Sequence, residues 1–171
     1  MGSKKKRKKN KNNGKPVRQA WISEIELQKA SERTGVPEYA LTPLIDGSVI
    51  DIGNRLRLTL RHTPGHSPGS MVVLVSDRSS GDRGDRGEQN NEDEPLFMIS
   101  GDTLFPGSCG RVDLPESNAK IMWDSLQIVG SYDNELVIFP GHAYSGSNTT
   151  IRKEKKQGLL GMSRKQWMQG R

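Results

Sequence analysis

Three short apolar runs each end at a glycine-containing turn that carries one histidine or aspartate, and this repeated arrangement constrains the fold most. The turns TPGHS, SGDTLF and PGHAY present His66, Asp102 and His142. Glycine allows the backbone to turn sharply, and rigid strand ends hold side chains in place. Imidazole and carboxylate groups are common ligands of zinc and iron. The pattern predicts that these three side chains converge at one end of a sheet, at a metal site.

The pattern of apolar residues predicts a mixed chain in which strands alternate with helices. Strands are predicted at 48–53, 55–62, 70–76, 96–100 and 135–144. Helices are predicted at 23–35 and 116–130, with another beginning near Thr149. A capping box formed by Ser23 and Glu26 is expected to begin the first helix, and Trp167 and Met168 are expected to pack on the body.

The positive charge of the chain is concentrated at its start. The 171 residues carry a net charge of +6, yet residues 1–18 contain nine lysines and arginines and no acid. The remainder has 17 basic against 20 acidic residues, so its charge is about −3 and does not indicate a nucleic-acid-binding body. We expect residues 1–15 to form a disordered basic tail that binds polyanions weakly. We expect residues 16–171 to form the body, with the polar stretch 77–95 as a disordered insertion within it.

Cysteine content and hydropathy bear on the compartment. A single cysteine, Cys109, excludes an intrachain disulfide and favours a reducing compartment. No apolar stretch approaches the roughly 18 residues of a membrane span, and the basic start lacks the apolar core of a secretory signal. We expect a cytoplasmic protein, with nuclear import through the KKKRK run as the alternative.

Three segments together resemble one known family. LRHTPGHSPGSMVVL, LFMISGDTLFPGSCGRVDLP and LVIFPGHAYSGSNTTIRKEKKQGLL look like the second half of a metallo-β-lactamase-fold hydrolase of the glyoxalase II-like group. The likeness covers about residues 16–165, apart from 77–95. It implies a chain of the α/β (α+β) class. This chain would form an incomplete αββα sandwich with a mixed sheet and flanking helices. It also implies hydrolysis of glutathione thioesters at a two-zinc site, and close relatives oxidise persulfides with iron.

Metal ligands follow from the resemblance residue by residue. It makes His66 a ligand of the first metal, His142 a ligand of the second, and Asp102 the carboxylate that bridges them and carries catalysis. His62 is expected to be structural, and Cys109 to be a packed residue, because a metal-hydroxide mechanism needs no thiol.

Three further residues are candidates for substrate binding. Arg111, in the CGR sequence, stands where the group often has a basic residue that faces glutathione, but an ion pair with Asp113 is an equal alternative. Tyr144 and Lys153 are weaker candidates on the same wall.

The sequence lacks the family's upstream ligands. These come from a His-x-His-x-Asp-His motif, whereas the three histidines of this chain are at 62, 66 and 142. We expect weak metal binding and little activity in the chain alone. A fragment is favoured over a degenerate non-enzyme or one half of a protein completed by a partner. The competing hypothesis is a non-catalytic interaction protein that binds polyanions through its basic tail.

Overall fold

The computed structural model describes residues 20–78 and 94–170 of the chain. The strands are β1 (Ala20–Ser23), β2 (Leu41–Leu44), β3 (Val49–Ile52), β4 (Leu56–His62), β5 (Met71–Asp77), β6 (Phe97–Gly101), β7 (Val137–Pro140) and β8 (Thr149–Thr150). The α-helices are α1 (Leu27–Thr34), α2 (Ala119–Gly130), α3 (Ile151–Gln157) and α4 (Arg164–Gln169). The predicted strands and the predicted helix 116–130 are present. The helix and three of the strands are shorter than predicted, and the strands predicted at 70–76 and 96–100 are shifted by one residue. The predicted mixed sheet with flanking helices is confirmed.

Six strands form one mixed sheet in the order β3-β4-β5-β6-β7-β8. Neighbouring strands are antiparallel except β6 and β7, which run parallel. Helix α2 provides the crossover between these two strands, as a parallel connection requires. The carboxyl ends of β6 and β7 consequently lie side by side, and the residues that follow them emerge at the same edge.

One face of this sheet packs on the helices. The buried core combines side chains of β5, β6 and β7 with those of α2, α3 and α4 (Val72, Leu74, Met98, Ile138, Met122, Leu126, Val129, Ile151 and Trp167). Trp167 is fully buried and its indole N–H donates to the carbonyl of Ala119 at 2.8 Å. The expectation that Trp167 packs on the body is confirmed, whereas Met168 remains 37% exposed.

The opposite face of the sheet is apolar and partly open. Val73 pairs with Ile99, and Ile99 pairs with Phe139 on the next strand. Residues paired directly across strands share a face, so these side chains form one surface. Ile99 is 43% exposed and Phe139 is 39% exposed. Contiguous apolar surface of this kind is uncommon on a soluble monomer.

The first predicted helix begins differently from the prediction. Residues Glu24–Glu26 form a 3₁₀ turn, and Ser23 makes no side-chain capping bond. The carboxylate of Glu26 instead accepts a hydrogen bond from the amide of Gly69, 3.0 Å away. The capping-box prediction is therefore wrong, because a distant backbone donor takes the glutamate. The helix ends at Thr34, and Gly35 follows it in the left-handed conformation.

Two predicted segments lie wholly or mostly outside the described residues. These are the basic tail 1–15 and the insertion 77–95, of which residues 79–93 are not described. The first residue of the predicted insertion, Asp77, is the last residue of β5. A two-stranded parallel sheet of β1 and β2, which the sequence pattern did not predict, precedes the six-stranded sheet. In residues 20–78 and 94–170, no helix has the length and hydropathy needed to cross a bilayer.

Candidate metal centre

His66, Asp102 and His142 follow β4, β6 and β7 respectively, and their side chains meet at one edge of the six-stranded sheet. The Nε2 atom of His66 lies 3.3 Å from Oδ2 of Asp102. The Nε2 atom of His142 lies 3.6 Å from the other carboxylate oxygen, Oδ1. The predicted convergence is therefore observed, across separations of 36 and 40 residues along the chain.

The turn that carries His66 is fixed by helix α2. The hydroxyl of Ser125 donates to the carbonyl of Pro64 at 2.6 Å, and the amide of Asn118 donates to the carbonyl of Gly65 at 2.8 Å. Asn118 also caps α2, because its side chain accepts from the amides of Lys120 and Ile121. The helix start and the histidine turn are thus built as one unit.

Backbone hydrogen bonds hold the Asp102 segment between its neighbours. The amide of Gly110 donates to the carbonyl of Asp102, and the amide of Gly141 donates to the carbonyl of Gly101, both at 2.8 Å. The hydroxyls of Thr63 and Thr103 are in contact at 2.9 Å and are both buried. These bonds connect the segments after β4, β6 and β7, which explains why the three side chains keep a defined relation.

Gly110 and Gly141 must be glycines because neighbouring atoms lie very close to their α-carbons. A β-carbon on Gly110 would lie 2.8 Å from Nδ1 of His66, and one on Gly141 would lie 2.8 Å from Oδ1 of Asp102. Real β-carbons do not approach other atoms so closely. The glycines of the CGR and PGH sequences therefore leave room for the ligand candidates themselves.

The backbone sets the orientation of the His66 ring. Its Nδ1–H donates to the carbonyl of Arg111 at 2.9 Å, because a carbonyl oxygen can only accept. In the neutral ring this bond leaves Nε2 with its lone pair directed towards Asp102. A second-sphere carbonyl of this kind commonly orients metal-binding histidines. Arg111 thus contributes to the site through its main chain.

Aromatic rings surround His142. Tyr144 stacks on the imidazole with ring centroids 4.9 Å apart and an angle of 23°. Phe105 meets both rings edge-on, at 6.0 Å from His142 and 5.6 Å from Tyr144. Phe105 is buried, whereas Tyr144 is 76% exposed. The predicted substrate residue Tyr144 therefore presents one side of its ring to solvent beside the cluster.

The side chain of Arg111 makes the pairing that the sequence analysis held as its alternative. Its Nε and one terminal nitrogen donate to the two carboxylate oxygens of Asp113, both at 2.9 Å. The hydrogen bond from Arg111 lowers the pKa of the Asp113 carboxyl, and the same bond raises the pKa of Arg111. Lys153 lies on the exposed surface of α3, where its amide donates to the hydroxyl of Thr150.

His62 and Cys109 have structural contacts. The Nε2–H of His62 donates to the carbonyl of Pro68 at 2.7 Å, as expected of a structural histidine. Cys109 is buried in the hydrophobic core, as expected of a packed residue. Phe105 was not predicted as a site residue, since only the folded chain places the aromatic ring of the GDTLF sequence against His142.

The donor set fits only part of a metal centre. A catalytic zinc ion takes three protein ligands and a water, whereas each imidazole here faces one oxygen of a shared carboxylate. Over residues 20–78 and 94–170, no group of three or more His, Cys, Asp or Glu side chains could hold a metal ion. His66, Asp102 and His142 thus have the chemistry of metal ligands, but these residues do not form a complete site.

Comparison with known proteins identifies relatives, although no family model matches the chain. A protein of uncharacterised function from Mycobacterium tuberculosis is 34% identical over 125 residues, which are 70% of this chain and 47% of the relative. Hydroxyacylglutathione hydrolase of Rhodospirillum rubrum is 30% identical over 64% of this chain and 37% of the relative. The human mitochondrial persulfide dioxygenase ETHE1 is 27% identical over 65% and 37%. The chain spans less than half the length of these relatives.

Solved structures share the fold. A metallo-β-lactamase from Staphylococcus aureus matches with a TM-score of 0.63 and 26% identity, over 77% of this chain and 39% of the other. A protein solved in a di-iron-bound form matches with a TM-score of 0.55 and 25% identity, over 82% and 63%. The chain therefore has the metallo-β-lactamase fold, and among proteins of this fold it is similar to the glyoxalase II-like group.

Proposed function

We propose that this chain provides part of the active site of a metal-dependent hydrolase that acts on small thioesters of glutathione. The observation that carries the proposal is the position of the Asp102 carboxylate between two imidazoles. One oxygen faces Nε2 of His66 and the other faces Nε2 of His142. A carboxylate placed in this way is suited to bridge two cations, one on each side.

Each side chain has a defined task in this proposal. The hydrogen bond to the Arg111 carbonyl keeps the Nε2 lone pair of His66 directed at the cluster. Stacking with Tyr144 restrains the His142 ring. In two-metal hydrolases the bound ions supply a hydroxide near neutral pH. The three residues are moderately exposed, with 25%, 30% and 51% of their side-chain surface accessible for His66, Asp102 and His142, so a substrate can reach them.

The substrate-binding role is proposed for Tyr144, Arg111 and Lys153. The exposed ring of Tyr144 offers an apolar surface beside His142. Arg111 and Lys153 carry positive charges that suit the carboxylates of glutathione. Because Arg111 is already paired with Asp113, binding of a substrate carboxylate would require exchange of that partner.

A working centre needs ligands beyond these three residues. With two donors at each metal position, one imidazole and one carboxylate oxygen, we expect weak binding of metal. In the resembling group the additional histidines come from the upstream His-x-His-x-Asp-His motif. We therefore expect activity only when such a segment is supplied.

A second candidate is an iron-dependent oxidation of persulfides. The similarity to human persulfide dioxygenase, at 27% identity, favours it. Non-haem iron oxygenases use two histidines and one carboxylate around a single iron. His66 and Asp102 would then serve one iron and His142 would be dispensable, which separates this candidate from the two-metal hydrolase.

The test is a chimaera that joins the full chain to the part of the R. rubrum hydrolase that this chain does not match. We expect two equivalents of zinc or iron by elemental analysis and hydrolysis of a hydroxyacylglutathione thioester. Substitution of His66, Asp102 or His142 (H66Q, D102N and H142Q) should each lower metal content and turnover at least about tenfold, because loss of even a second-sphere partner of a ligand typically costs about 10- to 100-fold.

His62→Gln is the matched control, because the imidazole of His62 donates to the main-chain carbonyl of Pro68, outside the cluster of His66, Asp102 and His142. It should retain metal and turnover. A folded chimaera that remains metal-free, or one whose activity survives D102N, contradicts the proposal. One equivalent of iron, retained in H142Q with persulfide oxidation, would select the second candidate. A folded chimaera that stays metal-free and inactive and co-purifies with nucleic acid would favour the interaction-protein hypothesis.

A further inference from the structure

Helix α3 carries a glutamate that the proposed chemistry does not use. Glu154 is 1% exposed, which is unusual for a carboxylate unless it is paired. The burial of Glu154 was not predictable from the sequence, because Glu154 stands among Lys153, Lys155 and Lys156. These three lysines are exposed in the structure. A buried carboxylate is costly unless its oxygens accept hydrogen bonds.

Neutral groups satisfy this carboxylate. The hydroxyl of Thr149 donates to Oε1 at 2.7 Å, and the amide of Gly107 donates to the two oxygens at 3.1 and 3.2 Å. Among the described residues, Glu154 forms no ion pair. The carboxylate therefore connects α3 and β8 to the segment that contains Gly107, 47 residues earlier in the chain.

That segment is a tight turn between Phe105 and Ser108. Their backbones exchange two hydrogen bonds, at 2.7 and 3.2 Å. Gly107 therefore cannot move far without moving Phe105. The Phe105 ring is buried and meets the His142 ring edge-on. A continuous set of contacts thus leads from Glu154 through the turn to one imidazole of the candidate metal centre.

We propose that Glu154 is a positioning residue for His142. Its carboxylate holds the Phe105–Ser108 turn, and the turn places Phe105 where it limits the movement of the imidazole relative to Asp102. A hydrocarbon side chain could fill the same volume but could not bind the Gly107 amide. The proposal rests on the proposed function in so far as His142 is a ligand.

The test uses NMR spectroscopy of the full chain without metal, at fixed pH. In Glu154→Ala we expect the Gly107 amide to exchange about tenfold faster or more, because a hydrogen bond to a charged acceptor is lost. The ring resonances of His142 and Tyr144 should shift, whereas those of His62 should not. Glu154→Gln keeps one acceptor for the Gly107 amide and should give intermediate values for both measurements.

Ser163→Ala is the matched control. Ser163 caps α4 through a complete capping box. Replacing it with alanine should therefore lower the stability of the protein through loss of this cap, and not through the Phe105–Ser108 turn. It should leave the His142 resonances unchanged. The proposal is overturned if His142 is unaffected in a folded E154A protein, or if S163A shifts it equally. Should E154A fail to fold, E154Q and Thr149→Val, which removes one donor, are read by the same criteria. These measurements do not depend on metal or turnover, so an inactive chimaera would leave them interpretable.

Discussion

Gly141 approaches Asp102 so closely that a methyl group on its α-carbon would lie 2.8 Å from the carboxylate oxygen Oδ1. That oxygen is the one that faces His142. The backbone amide of Gly141 also donates to the carbonyl of Gly101, directly before the aspartate. The glycine of the PGH sequence thus fixes the distance between two neighbouring strand ends, and the carboxylate occupies the space that it leaves free.

Gly141→Ala should displace the Asp102 carboxylate. In the chimaera we expect metal content to fall several-fold, because the added methyl group overlaps the position of Oδ1. Elemental analysis measures this loss. Gly130→Ala is the matched control, since a β-carbon there would make ordinary contacts with Leu160 at 3.7 and 3.8 Å. If G141A keeps full metal content, metal binding does not require the observed position of the Asp102 carboxylate.

The open face of the sheet should bind hydrophobic dyes and promote self-association. Ile99→Thr removes part of the continuous apolar surface that Val73, Ile99 and Phe139 form. We expect lower fluorescence of a bound naphthalene sulfonate dye and less aggregation on heating. Ile121→Thr is the control, because Ile121 has the same exposure, 42% against 43%, but lies on helix α2. Equal effects of the two substitutions would contradict a special role for the sheet face.

Alkaline pH should weaken the fold through Tyr132. Burial raises the pKa of its phenol above the ordinary 10.0, with opposing contributions from Arg61, which lowers it, and Asp46, which raises it. The folded state therefore keeps the proton at a pH where the unfolded chain has lost it. The stability that depends on this proton is complete below about pH 10 and is lost as the pH rises through the folded pKa.

Urea unfolding between pH 8 and pH 11 checks this prediction, since ~pH 10 is where an ordinary phenol titrates. The free energy of unfolding of the wild-type chain should fall more steeply than that of Tyr132→Phe above about pH 10. Tyr39→Phe is the control, because Tyr39 is 92% exposed. Parallel curves for the wild-type chain and Y132F would show that Tyr132 does not contribute.

The strand ends and their ligand candidates were predictable because the relevant signals are local. An apolar run followed by a glycine turn fixes both the strand and the place where its next polar side chain emerges. The meeting of Asp102 with His142 then follows from the parallel pairing of β6 and β7. The assignment of these residues as metal ligands remains a proposal.

The features that sequence analysis missed depend on contacts between distant residues. Glu26 satisfies the periodic signature of a capping box but bonds to Gly69, and Glu154 is buried by donors at 107 and 149. The β1–β2 pair consists of two four-residue strands whose pairing has no periodic signal. In each case the pairing depends on contacts between residues that are distant in the sequence. A local sequence pattern carries no information about such contacts.

The basic start of the chain should bind polyanions through charge alone. Residues 1–15 lie outside the described structure and contain eight lysines and arginines with no acid. Binding to a single-stranded oligonucleotide should weaken with salt, with a slope in log affinity of up to about −0.7 for each phosphate neutralised. Deletion of residues 1–15 should abolish this binding and leave the thermal unfolding of the body unchanged.

A variant with all eight basic residues replaced by glutamine separates charge from length and should behave like the deletion. Retention of oligonucleotide binding by either variant would mean that the body, residues 16–171 with a net charge of about −2, has a nucleic-acid-binding surface of its own.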